Sequence, residues 1–193
     1  MKSFTEPLKK LGEFQEIRNS LRKCGVVQVS GCIDAQKPHF VQAAGEEFPC
    51  KVILTYSETR AKELYENYRF FDRNVLLYPA RDLIFYSADI HSNLIVQQRM
   101  AVLKALLEEE QVTVITTMGG CMDHLVPLED FQKNILHLQS DSVVEVEAMK
   151  LRLTAMGYEN VLQVEGTGQF AVRGGIFDVF PLTEENPVRI ELW

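Results

Sequence analysis

The sequence contains few cysteines, and their spacing does not fit a metal site or a disulfide framework. Cys24, Cys32, Cys50 and Cys121 include no C-x-x-C pair, which is the usual arrangement in small zinc sites. The first residues do not have the pattern of a secretory signal peptide. We therefore expect free thiols in a reducing compartment, the cytoplasm.

Long hydrophobic runs and an excess of positive charge are also missing. The longest apolar runs are far shorter than the ~20 residues that span a bilayer, so we expect no membrane partner. The 193-residue chain has 20 Lys and Arg against 27 Asp and Glu, a net charge of -7. Modules that bind nucleic acid through its phosphates normally have the opposite sign. The charge therefore favours a protein partner.

Recognisable catalytic patterns are missing too. His39, His91, His124 and His137 show no metal-ligand spacing, and no H-E-x-x-H motif occurs. No serine lies in a G-x-S-x-G elbow. We predict no catalytic residues and no metal site in this chain.

The chain does have the composition of a folded domain with alternating elements. Hydrophobic residues make up 46% and charged residues 24%, which is ordinary for a folded protein. Short apolar strands alternate with amphipathic helices in its first part, which predicts a parallel sheet with helices on both faces. The helices are expected near 7–23, 34–44, 57–68 and 95–110, and the strands at 26–29, 52–55, 75–78 and 112–116.

This alternation ends after Gly119-Gly120. From Phe131 onward, a strand at 135–138, a helix near 143–156 and several short strands predict an α+β domain. The boundary is expected near 118–128. We accordingly divide the chain into domains at residues 1–122 and 123–193.

Two short strands flank a Gly-Gly pair near the end of the chain. The run from Gly168 to Pro181 reads G-Q-F-A-V-R-G-G-I-F-D-V-F-P, and glycine permits the tight connection between the strands. Side chains alternate along a strand, so Arg173 lies on the face opposite Phe170 and Val172. An exposed face that carries an arginine favours docking over catalysis.

The last run, from Val188 to Trp193, is also amphipathic. Arg189 and Glu191 alternate with Val188, Ile190 and Leu192, which places both charged residues outward. The strand ends without a cap or a tail, which predicts that the sequence is a piece of a longer protein.

One segment has the position of a phosphate loop without its chemistry. Gly31 and Lys37 match the spacing of G-x-x-x-x-G-K-[ST], but Gln36 replaces the second glycine and Pro38 the hydroxyl residue. Proline supplies neither an N–H group nor a magnesium ligand, and Asp34 would face the phosphates. A variant nucleotide site and a strand–loop–helix that has lost its chemistry are both open, and we favour the second.

The strand pair resembles G-x-F-x-x-R-G-x-[hydrophobic]2-[DE]-[hydrophobic]-F-P, a pattern of the family that contains UvrB, the B subunit of the excinuclease, and the transcription-repair coupling factors (Mfd). Tyr78-Pro79-Ala80, the helix around Arg99 and Met156-Gly157-Tyr158 resemble further motifs of the coupling factors. Residues 80–92 are too few for the DNA-clamping hairpin of UvrB. The resemblance is therefore to the N-terminal, UvrB-like module of a coupling factor.

This resemblance implies the fold in more detail. Residues 1–122 would form a degenerate P-loop/RecA-like α/β domain without a nucleotide site. Residues 123–193 would form a small α+β domain, similar to domain 2 of UvrB, that binds the damage-recognition subunit UvrA.

The resemblance also implies binding residues. Two arginine positions of UvrB correspond here to Asn160 and Ala171, so part of the charged contact set is missing. The UvrA-binding residues would be Arg173, Arg189 and Glu191, with Phe170 and Asn160 as secondary candidates.

The implied function is a non-catalytic module that recruits UvrA to stalled RNA polymerase in the bacterial cytoplasm. The chain itself would need no cofactor. ATP and Mg²⁺ would act in motor domains of a longer parent, a DNA translocase, and RNA polymerase and DNA would bind other parts of that parent. Two alternatives remain: a nucleotide-binding α/β enzyme domain that uses Lys37, and a UvrB-like subunit that binds damaged DNA.

Overall fold

The computed structural model describes residues 2–23, 25–81, 89–108, 111–125, 127–140 and 142–192. The chain divides into two compact units, residues 1–86 with 101–123 and residues 87–100 with 124–193. The described residues form a three-stranded sheet in the first unit and a four-stranded sheet in the second. The protein is therefore mixed α/β, as the sequence predicts.

The first sheet has three parallel strands in the order β1-β3-β2. Its central strand, β3, is buried along its whole length, because helices cover both faces. Ile115 packs with Ala61 and Leu64 of α4 on one face, and Val114 packs with Val102 of α5 on the other. The elements, with α5 shared between the units, are α1 Lys2–Lys9, α2 Gly12–Arg22, a 3₁₀ turn Asp34–Gln36, α3 Lys37–Gly45, β1 Cys50–Thr55, α4 Glu58–Tyr68, β2 Val75–Tyr78, α5 Asp89–Glu108, β3 Val112–Thr117 and α6 Met118–Met122.

Two predictions for the start of the chain are wrong. The helix expected near 7–23 is two helices, because Leu11 between them is extended, with φ -78° and ψ 128°. The strand expected at 26–29 is not part of a sheet, and Val26 is 99% exposed. β1 and β2 occupy both edges of β3, and the run does not pair with the outer edge of either strand.

The connection after β2 is also shorter than expected. We expected a loop over 80–92, but α5 begins at Asp89. Residues 82–88 of that loop lie outside the described part of the chain.

The second sheet has the order β4-β5-β6-β7. The first pair is parallel, and the other two pairs are antiparallel. Met149 and Leu153 of α8 pack on Phe170, Phe177 and Val179, which form the inner face of the sheet. The elements are α7 Leu128–Lys133, α8 Val146–Ala155, β4 Glu159–Asn160, β5 Gln169–Arg173, β6 Ile176–Phe180 and β7 Val188–Glu191.

The strand expected at 135–138 is wrong as well. These residues have no ladder partner, and the backbone carbonyl of Ile135 instead accepts a hydrogen bond from Arg152 Nη2 of α8 at 3.4 Å. The same guanidinium group donates to the carbonyl of Lys133. A side chain therefore holds this segment where the pattern suggested a strand.

Candidate protein-interaction face

The face of the second sheet opposite α8 carries the predicted charged residues. We call it the β5–β7 face. Pairing between the strands sets its rows, because residues directly opposite one another share a face. Ala171, Asp178 and Arg189 form one row, and Arg173, Ile176 and Glu191 form the next.

Asp178 lies between the two arginines of this face. Its Oδ1 accepts a hydrogen bond from Arg189 Nε at 2.7 Å, and its Oδ2 accepts one from Arg189 Nη2 at 3.0 Å. Arg173 Nη2 lies 3.7 Å from Oδ2. The side chain of Asp178 is only 13% exposed, whereas those of Arg173 and Arg189 are 60% and 57% exposed. The aspartate is thus covered, and both guanidinium groups remain accessible.

The electrostatics of the face follow from these contacts. The hydrogen bonds from Arg189 hold the pKa of Asp178 below its ordinary value, and the positive charge of Arg173 adds to the effect. The hydrogen bonds to Asp178 raise the pKa of Arg189, and the negative charge of Glu191 contributes to this rise. The carboxylate of Asp178 and the guanidinium group of Arg189 therefore both stay charged near neutral pH.

The other predicted positions are not grouped with these residues. Phe170 is fully buried and stacks on Phe177, with ring centroids 5.7 Å apart, so it belongs to the core and not to the exposed face. Asn160 is exposed on β4, which is separated from β6 by β5. Ala171 is buried within the outer row.

Sequence reasoning did not single out Asp178 as a candidate residue. A signal was present, because Phe177 and Val179 point inward and the residue between them must point outward. Its pairing with Arg189 depends on the register between β6 and β7, which the sequence alone does not fix.

The predicted phosphate loop lies in the first unit, and its charges are paired within the chain. Lys37 Nζ lies 2.6 Å from Asp34 Oδ1, and Arg60 Nη2 lies 3.0 Å from the same oxygen. Both cations lower the pKa of Asp34, chiefly through the hydrogen bond from Lys37. Gly31 is exposed, and Pro38 is buried in the first turn of α3. The helix expected from residue 34 begins at Lys37, because Asp34 opens a 3₁₀ turn before it.

A cleft of about 530 Å³ lies beside this loop. It is at the carboxyl ends of β1 and β3, where α/β sheets usually bind ligands. Lys37 and Arg60 are its cationic lining residues, and most of the rest of the lining is apolar. The sequence prediction named Lys37 and Pro38 of this lining and did not identify the cleft.

A carboxylate ties together the ends of neighbouring elements at the same edge. Glu58 Oε1 accepts hydrogen bonds from Thr117 Oγ1 at 2.6 Å and from the backbone N–H of Ala80 at 3.3 Å. Thr117 Oγ1 in turn accepts one from Gly120 N at the start of α6. The polar groups at the end of β3 are thus bonded within the protein.

Two further features limit the kinds of site that the described residues can form. None of their His, Cys, Asp and Glu side chains are grouped in threes that could hold a metal ion. In the same part of the chain, no helix has the length and apolar character needed to cross a membrane.

Comparison with known proteins identifies the part of the chain that carries the β5–β7 face. A family model described as the UvrB interaction domain matches residues 136–193. These residues belong to the UvrB interaction domain family. Arg173, Asp178, Arg189 and Glu191 therefore all lie within an interaction domain.

The similarity extends beyond the UvrB interaction domain to most of the chain. The chain is 30% identical over 190 residues to the transcription-repair-coupling factor of Bacillus subtilis (strain 168), an alignment that covers 96% of the chain and 16% of that relative. It is 32% identical over 126 residues to the coupling factor of Staphylococcus aureus (strain USA300), covering 65% and 11%. The resemblance to the coupling-factor family is confirmed, and the chain spans only a small part of these relatives.

Proposed function

We propose that this chain is the UvrA-recruiting module of a transcription-repair coupling factor, and that the β5–β7 face is its docking surface. The observation that carries the proposal is the pair of exposed arginines, Arg173 and Arg189, held beside each other within the UvrB interaction domain. We name UvrA as the partner because the chain resembles UvrB and the coupling factors. This resemblance implies that the matching domain binds UvrA.

The chemistry of the face supports a protein partner. Arginine is enriched among binding hot spots, and its planar group can bind a carboxylate through two parallel hydrogen bonds. The sheet that presents the arginines packs against α8 through Met149 and Leu153. Side chains held by such a framework lose less conformational entropy when a partner binds.

The first unit supports a non-catalytic role in this proposal. We infer that it is a degenerate RecA-like domain in which internal ion pairs have replaced the phosphate contacts of the ancestral nucleotide site. Asp34 forms ion pairs with Lys37 and Arg60, the cations that would face a phosphate group. Pro38 has no backbone N–H group to donate and no hydroxyl group to bind magnesium. Glu58 and Thr117 bond to each other at the strand ends.

The longer parent protein completes the proposal. It would be an ATP-dependent DNA translocase of the bacterial cytoplasm, with ATP and Mg²⁺ in motor domains outside this chain. RNA polymerase and DNA would bind those other parts. In this scheme the present chain brings UvrA to a stalled polymerase and needs no cofactor of its own.

Alanine variants of the two arginines test the docking surface. We expect Arg173→Ala and Arg189→Ala each to weaken binding to purified UvrA by about 2 kcal/mol, or roughly thirtyfold, since hot-spot arginines cost that much when truncated. Isothermal titration calorimetry with the 193-residue chain measures the affinity. Thermal denaturation should change little for Arg173→Ala, because that side chain is 60% exposed and lies 3.7 Å from its partner. Arg189→Ala also removes two hydrogen bonds to Asp178, so its affinity is measured at a temperature at which circular dichroism shows it to be folded.

The matched control is Arg69→Ala in the first unit. The side chain of Arg69 is 56% exposed and pairs with Glu66 at 3.3 Å, so it resembles the two candidates in exposure and pairing. Its loss should leave UvrA binding unchanged. Unaltered affinity in the Arg173→Ala, Arg189→Ala double variant would reject the docking surface.

A further inference from the structure

We propose that Asp178 is a positioning residue, which holds Arg189 and Arg173 in place for a partner that presents carboxylates to the β5–β7 face. This inference rests on the proposed docking function and deepens it, because it names the chemistry of the partner surface. Asp178 itself is not expected to be a main contact, since only 13% of its side chain is exposed.

Arg189 is the more firmly held of the two arginines. Its Nε and Nη2 groups both donate to the Asp178 carboxylate, at 2.7 and 3.0 Å, which is the strong side-on geometry of an arginine–carboxylate pair. A free arginine side chain would lose considerable rotamer entropy on binding. Because Asp178 has already fixed Arg189, most of that loss is avoided when a partner arrives.

Arg173 is held more loosely. Its nearest atom, Nη2, lies 3.7 Å from Asp178 Oδ2, and the side chain is 60% exposed. The contact is too long for a good hydrogen bond, so the attraction of Asp178 keeps the guanidinium group nearby without using its donors. Those donors suit a carboxylate of the partner.

The charge balance of the face shows why position matters. Arg173 and Arg189 contribute two positive charges, and Asp178 and Glu191 contribute two negative ones. The sum is zero, so net charge does not draw an acidic partner to the face. Any affinity for carboxylates must come from the positions of the individual arginine donors.

The substitution Asp178→Asn separates positioning from simple charge, because the two roles predict opposite signs. If Asp178 only opposed an acidic partner through its charge, removing that charge would tighten binding. If Asp178 positions the arginines, we expect Asp178→Asn to weaken UvrA binding by about tenfold. Tighter or unchanged binding overturns the proposal.

A double-mutant cycle adds a readout that a general structural role would not produce. In the Arg173→Ala, Arg189→Ala background, Asp178→Asn should change UvrA affinity by less than about twofold, because nothing remains to be positioned. A tenfold loss that persists in this background overturns the proposal. Asp130→Asn is the matched control: Asp130 is an exposed carboxylate of the second unit that pairs with Lys133 at 2.8 Å, and its loss should leave affinity unchanged.

A measurement without partner distinguishes failure of this inference from failure of the docking function. In the NMR spectrum of the free chain, the Arg189 Nε–H proton should exchange slowly with water and should lose that protection in Asp178→Asn. An unchanged exchange rate overturns the positioning role regardless of how UvrA behaves. If protection is lost as expected but the wild-type chain does not bind UvrA, the positioning geometry stands and the proposed function is rejected.

Discussion

Two aspartates, Asp34 and Asp178, each lie between a pair of cations, but their surroundings differ. The side chain of Asp34 is 64% exposed, whereas that of Asp178 is 13% exposed. Water and salt screen an exposed ion pair, which leaves it worth little. We therefore expect the geometry around Asp178 to persist at salt concentrations that loosen the geometry around Asp34.

The lowered pKa of Asp178 makes a prediction about pH. A carboxylate whose pKa is lower in the folded state stabilises the fold above its unfolded pKa, near 3.8, and loses this contribution as the pH falls through its folded pKa. Wild type should therefore be more stable than Asp178→Asn at pH 6. The difference should shrink as the pH falls below 3.8 and should be smallest below the folded pKa. Chemical denaturation of both proteins across this range measures it. A difference that is constant with pH would contradict the prediction.

At the scale of helices and strands, the hairpin between β5 and β6 sets the register of these two strands and so the rows of the β5–β7 face. Gly174 and Gly175 connect the paired residues Arg173 and Ile176, and Gly174 has a φ of +59°, which favours glycine. A Cβ atom on Gly175 would lie 2.9 Å from the backbone oxygen of Leu192. The hairpin therefore depends on glycine at both positions, for different reasons.

We predict that Gly175→Ala destabilises the protein by about 1–3 kcal/mol, the usual range for forcing an extra carbon into a packed site. The new methyl group would push on the Leu192 backbone, whose N–H donates to the Gly175 carbonyl at 2.7 Å. Circular dichroism during urea denaturation measures the loss. Gly12→Ala is the control, since a Cβ at Gly12 meets nothing within 4 Å and alanine suits a helix. Equal effects of the two substitutions would contradict this account.

The strands that the sequence predicts correctly are those that pair with another strand in the folded protein. The strands at 52–55, 75–78 and 112–116 all belong to the parallel sheet, where β1 and β2 each pair with the buried central strand β3. The run at 26–29 has the same local pattern but does not pair with an edge of that sheet. At 135–138, the backbone carbonyl of Ile135 accepts a hydrogen bond from Arg152 instead of one from a neighbouring strand. Long-range partners decide such cases, and a local pattern does not contain them.

At the scale of the whole molecule, the sequence predicts which charged residues of the candidate face point outward, but it does not predict how they contact one another. The outward direction of Arg173, Arg189 and Glu191 follows from strand alternation, and the structure places all three on exposed positions of one sheet. The central role of Asp178 depends on the register across three strands. The assignment of these residues to UvrA binding stays a prediction.

The whole-molecule proposal also requires that the first unit does not bind nucleotide. We expect titration calorimetry of the 193-residue chain with ATP and Mg²⁺ to show no saturable binding at micromolar concentrations. Asp34 already pairs with the two cations that line the cleft, Lys37 and Arg60, and a negative charge there opposes an entering triphosphate. Pro38 supplies no N–H group where a phosphate loop uses its backbone donors.

If the titration does show binding of ATP, two lysine variants test whether the binding site is the cleft. Lys37→Ala removes one of the two cations that line the cleft. Lys133→Ala removes a lysine with the same spacing to its aspartate, paired with Asp130 at 2.8 Å in the second unit. Micromolar binding that disappears only in Lys37→Ala would place a triphosphate in the cleft and make the first unit a nucleotide-binding domain. Binding that both variants retain would lie elsewhere, and the internal pairing of Asp34 would still account for a cleft that does not hold ATP.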